Sequence, residues 1–136
     1  MISVEITIQA PLKLVWGSWT NPMHIIKWNF VSNDWHCPRA SNDLQVGGAF
    51  NWRMETKNGS VGFDFEGTYT VIVVNKRIEF ELSDGRKAKI EFSESETGGV
   101  FVCESFEPEG SNNDELQRAG WQAILLNFKQ HVESLV

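Results

Sequence analysis

Two features of the sequence predict an α+β fold in which one antiparallel sheet is covered by a single long helix. Asn58-Gly59, Asn75-Lys76, Asp84-Gly85 and Gly98-Gly99 are tight-turn signals, and they separate segments in which apolar and polar residues alternate. Beyond them, Trp121, Ile124, Leu125, Phe128, Val132 and Leu135 recur at spacings of three and four, forming one stripe of a helix. A sheet with one oily face and a helix with one oily stripe bury each other. At 136 residues the chain is expected to form one domain, residues 1–136.

The elements follow in order. "ISVEITI" alternates Ile2, Val4, Ile6 and Ile8 against polar neighbours and predicts a strand with one wet face. In "PLKLVWGSW", Pro11 suits the first helical position, and Leu12, Val15, Trp16 and Trp19 share one side of a short helix. Asn21-Pro22 is a cap followed by an opener, so "PMHIIKW" predicts a second short helix. Residues 29–46 lack a clean period, with a short strand expected around Asp34–Cys37.

The meander follows. "AFNWRMET" sets Phe50, Trp52 and Met54 on one face, and Asn58-Gly59 predicts a two-residue turn with positive φ at both positions. The return strand sets Phe63, Phe65, Gly67, Tyr69 and Val71 on one face. Ile78, Phe80 and Leu82 continue the oily side, as do Ala88, Ile90 and Phe92, and "VFVCESFE" closes the series. The last helix is expected from Asp114 to Leu135, with Asp114 and Glu115 suiting its positive end. Gly120 costs about 1 kcal/mol inside it relative to alanine. It either lets something approach the backbone or is a tolerated defect.

Composition narrows the function. A formal net charge of −6 argues against nucleic acid, whose binding needs clustered Lys and Arg. No apolar run reaches the roughly 20 residues of a membrane span, and the N-terminus lacks the pattern of a signal peptide. The reading is of a cytoplasmic protein with two reduced thiols, Cys37 and Cys103. His24, His36, Cys37 and His131 show no metal-ligand spacing, so neither a metal nor another cofactor is expected. Arg53, Asp64, Glu66, Glu79, Glu81 and Glu91 fall on the wet face, where nothing tunes a carboxylate for acid–base work.

Strand, two short helices, meander and long terminal helix resemble the helix-grip fold of the START-like, birch-pollen-allergen-like (SRPBCC) superfamily. "IQAPLKLVWGSWTNP" with its downstream Trp28 is similar to the opening of the family named for the activator of the heat-shock-90 chaperone ATPase. "DLQVGGAFNWRM", "FDFEGTYTVI" and "GWQAILLNFKQHVES" match its later pattern. The resemblance implies a curved sheet gripping the last helix over a cavity. It also implies a likeness to single-domain relatives, and it offers a chaperone as a partner.

A cavity between sheet and helix would be lined by Trp52, Phe63, Phe65, Phe80 and Phe92 from the strands and by Trp121, Ile124 and Phe128 from the helix. Trp28 and Trp35 would close one end. The expected function is non-catalytic binding of a small hydrophobic or amphipathic molecule. The rivals are a chaperone-linked interaction protein and a cyclase- or hydrolase-type enzyme, which would need an ionisable group inside the cavity. Leu126, on the far side of the last helix, is the one candidate for a weak homodimer contact.

Overall fold

The computed structural model describes every residue from Met1 to Val136. In chain order the elements are β1 (Ile2–Ile8), α1 (Leu12–Thr20), α2 (Pro22–Trp28), β2 (Trp35–His36), β3 (Ala40–Asn42), β4 (Ala49–Thr56), β5 (Gly62–Val73), β6 (Arg77–Leu82), β7 (Lys87–Glu94), β8 (Val100–Phe106) and α3 (Asp114–Ser134). The strands form one curved antiparallel sheet in the order β1-β8-β7-β6-β5-β4-β2, and β3 also pairs with β4. The first strand therefore lies beside the last, and α3 returns along β1. This is the α+β arrangement that the alternation and the terminal stripe predict, in the helix-grip form that the family resemblance implies, with α3 ending at Ser134, one residue before the expected Leu135.

Pro11 differs from expectation by one position. It is the extended residue that caps α1, and the helix starts at Leu12. Asn21 behaves as predicted: its Oδ1 accepts from the Met23 N–H, and Pro22 opens α2. The short strand expected around Asp34–Cys37 is β2, and β3 follows it.

Three of the hairpins turn in one way, which at Asn58-Gly59 differs from the expected two-residue loop. The N–H of Gly59, Gly85 or Gly98 donates to the carbonyl three residues back, on Thr56, Leu82 or Ser95. In each only the glycine has positive φ, so Asn58 keeps an ordinary backbone and residues 57–61 link β4 to β5. A turn of this kind followed by a left-handed glycine is the common longer hairpin.

A register shift between Tyr69 and Val71 corrects the predicted face of β5. One extra residue at a bulge reverses the parity beyond it. Ile72, not Val71, then packs against the core. Gly67 is required where it stands, because a Cβ there would lie 2.3 Å from the carbonyl oxygen of Glu81. The rings of Phe50 and Phe80, from the strands on either side, meet at 5.3 Å.

The outer face carries the charges, as alternation predicts. Arg53 meets Glu55 at 3.2 Å and Asp64 at 3.6 Å, Arg77 meets Glu79, and Lys89 meets Glu91. Helix α3 does more than cover the oily face. Its polar side chains also occupy the open edge of β1: Gln122 Nε2 donates to the Glu5 carbonyl, Lys129 Nζ to the Thr7 carbonyl, and Glu133 Oε2 accepts from the Gln9 N–H. Residues 5, 7 and 9 point the same way along an edge strand, and an edge so occupied is closed to another chain.

Candidate functional site

The two halves of α3 meet the sheet differently. Leu125, Phe128 and Val132 are fully buried and packed into the core. Toward the N-terminus of the helix, Leu116, Gln117, Gly120, Trp121 and Ile124 border a chamber of about 250 Å³. Its other walls are Trp19 of α1, Trp28 with Asn29 and Val31, Trp52 and Met54 of β4, and Phe63 and Phe65 of β5. Arg86 in the β6–β7 turn, Glu104 of β8 and Glu109 in the linker complete it. Gly120 contributes room, since a Cβ built on it would meet nothing within 4 Å.

Six of the ten predicted cavity residues line this space: Trp28, Trp52, Phe63, Phe65, Trp121 and Ile124. The other four do not. Trp35 stands outside it, with its ring edge-on to Phe63 at 6.1 Å. Phe80 packs between Phe50 and Phe65, Phe92 against Trp16, and Phe128 between Trp19 and Trp28. Parity correctly gives the oily face. It says nothing of how far along that face the helix stands away.

The aromatic walls are held by ring stacking and hydrogen bonds. Trp19 stacks on Trp28 at 4.7 Å, and Trp121 lies flat on Phe106 at 3.8 Å. The Trp28 indole N–H donates to the Ser18 carbonyl. Asn42 accepts from the Trp52 indole at 2.8 Å and from the Tyr69 hydroxyl at 3.0 Å, and its own amide donates to the Thr20 carbonyl. Burial pushes the Tyr69 hydroxyl above its usual pKa, so it remains a donor. Phe63, Val31 and Leu116 are exposed and give the chamber an apolar mouth.

Glu104 is the residue that motif reading misses. It is 5% exposed, and its carboxyl has no hydrogen-bond or ion-pair partner on the protein. Burial alone raises its pKa to about 8. The signal was present in "VFVCESF": Val100, Val102 and Phe106 face inward, so Glu104, between the last two, must as well. On either side it pairs with the buried Val4 of β1 and Ile90 of β7.

Other reactive side chains are differently placed. His36 points toward Glu55 at 3.6 Å, while Cys37 turns inward to Asn29 and the Arg39 carbonyl, so the adjacent pair parts. Burial, outweighing those hydrogen bonds, raises the Cys37 thiol's pKa. His24 and His131 share a hydrogen bond of 2.9 Å between α2 and α3. No group of three or more His, Cys, Asp or Glu is arranged to hold a metal ion. A larger recess, about 830 Å³, is lined chiefly by solvated groups such as Lys76, Arg77, Glu91 and Glu94. It contains no buried polar side chain without a partner. No helix is long and apolar enough to cross a membrane.

Residues 9–133 match the family model described as activator of Hsp90 ATPase homolog 1-like protein. An AHSA1-like protein from Aeromonas hydrophila, solved in solution, is 42% identical with a TM-score of 0.89, covering 98% of this chain and 94% of that one. A protein from Cytophaga hutchinsonii is 45% identical with a TM-score of 0.83, covering 98% and 92%. The solution structure of an Aha1 dimer from Colwellia psychrerythraea shares the fold at 19% identity and a TM-score of 0.73, covering 97% and 95%. No curated protein matches the chain.

Proposed function

The chain belongs to the activator of Hsp90 ATPase homolog 1-like family, and on that footing we propose that it binds a small apolar or amphipathic molecule in the chamber beneath the first half of α3. One observation carries this reading: the residues between sheet and helix leave a space of about 250 Å³ walled by Trp19, Trp28, Trp52 and Trp121 with Phe63 and Phe65. An engineered apolar cavity of roughly 150 Å³ takes up benzene, so a guest of one ring or a short branched chain is the right scale. Binding draws on desolvation, about 25 cal/mol for each Å² of apolar surface removed from water. The exposed Phe63, Val31 and Leu116 give such a guest an apolar entrance.

The reading is tested with an apolar fluorescent probe and native mass spectrometry of freshly purified protein. Wild type is expected to take up the probe, and Phe65→Ala to change its affinity at least about threefold by altering a wall of the chamber. Identical uptake by both proteins contradicts the reading. A chaperone-directed role would act through the exterior and would survive a substitution that fills the chamber.

A further inference from the structure

Building on the chamber reading, we propose that the guest carries a protonated amine and that Glu104 is the group that receives it. Glu104 is the one acidic side chain buried in the chamber wall, and nothing on the protein satisfies it. Most of the other polar groups there have a partner on the protein. The Gln117 amide donates to the Glu109 and Asn112 carbonyls and accepts from the Glu109 N–H. Arg86 Nε is held by Asp84 at 2.8 Å, Asn29 Nδ2 is directed at the Cys37 sulfur, and the Glu109 carboxylate accepts from Ser111 and Asn112. Glu104 is therefore the carboxyl in the chamber wall that a guest can engage.

The surroundings select the sign of that partner. Four indoles border the chamber with Glu104, and an indole face that a guest reaches attracts a cation. The elements packed around Glu104 present few charges. Beside it lie Val4 of β1 and Ile90 of β7, and α3 contributes Gln117, Trp121 and Ile124, none of which ionises. The charged groups sharing the chamber are Arg86, already paired with Asp84, and Glu109. Hydrogen bonds from Ser111 and Asn112 lower the pKa of Glu109, so it stays ionised. An anionic guest would meet the ionised Glu109 and, once Glu104 loses its proton, a second carboxylate. An ammonium meets a place made for it, and as it enters, the buried proton of Glu104 leaves to solvent.

Calorimetric titration of the whole chain with phenethylamine, phenethyl alcohol and phenylacetate tests this, using wild type and Glu104→Gln between pH 6 and pH 9. An alkylammonium stays largely protonated across that range, as lysine does. Amine affinity is expected to rise with pH, by up to about tenfold per unit, until Glu104 ionises near its pKa of about 8. Below that pH the heat is expected to depend on the buffer, because a proton is released. Glu104→Gln is expected to lose roughly 10- to 100-fold for the amine, the range for a hydrogen bond to a charged group, and to keep its affinity for the alcohol. Amine affinity that is independent of pH and unchanged by Glu104→Gln overturns the proposal. So does preference for the alcohol or the carboxylate, which leaves the chamber reading standing. Binding of none of the three overturns both.

Discussion

Glu104 occupies an inward position of β8 that any aliphatic residue would fill at less cost. Its carboxyl keeps a proton in the folded chain up to a pKa of about 8, whereas the unfolded chain releases it near 4.5. Folding therefore loses stability as pH rises between those values, in total by roughly 3–5 kcal/mol. Glu104→Gln carries no such loss. Its unfolding free energy is expected to exceed wild type by most of that amount at pH 8, with the two converging toward pH 4.5 in urea titrations. Burial, with the charges of His24 and Lys27, lowers the His131 pKa and weakens the fold as pH falls below the ordinary histidine range. Both proteins share that loss, so their difference isolates Glu104. Asn42 acts oppositely, as a purely structural hub. Asn42→Leu leaves the Trp52 and Tyr69 donors without an acceptor and is expected to cost about 2–4 kcal/mol in the same titrations.

Helix α3 serves two ends at once. Its second half, through Leu125, Phe128 and Val132, is packed core, and its first half is the roof of a space. Gly120 lies in that first half, where a Cβ would meet nothing. The two readings of this glycine left open by sequence are separable by size. Gly120→Ala is expected to stabilise the helix by up to about 1 kcal/mol, seen as a raised melting temperature. Gly120→Leu is expected to occlude the chamber and abolish probe uptake. The elements themselves are largely legible because period-two alternation and the α3 stripe are local signals, although Leu135, expected to end that stripe, lies past the helix and is exposed. The bulge after Tyr69 was not legible, since an inserted residue changes the parity of Val71 and Ile72 without changing composition. Nor was the capture of the β1 edge by Gln122, Lys129 and Glu133, polar residues that read as an ordinary wet helix face.

For the molecule as a whole, the family pattern and the helix-grip arrangement coincide over residues 9–133. The candidate site was half legible for a physical reason. Knowing that Phe80, Phe92 and Phe128 face inward cannot tell whether they meet neighbours or a void, and each meets a neighbouring ring. Glu104 is legible only through the alternation of β8, against the usual placing of strand carboxylates in water. The resulting molecule is an aromatic shell with one unsatisfied acid in its wall and an apolar mouth at Phe63, Val31 and Leu116. The most direct test of that description is toluene titration followed by the indole N–H resonances of the six tryptophans. Saturable shifts are expected at Trp52 and Trp121, with little change at Trp35 and loss of the response in Gly120→Leu; shifts spread over the exterior, or a response that Gly120→Leu leaves intact, would contradict a chamber at this place.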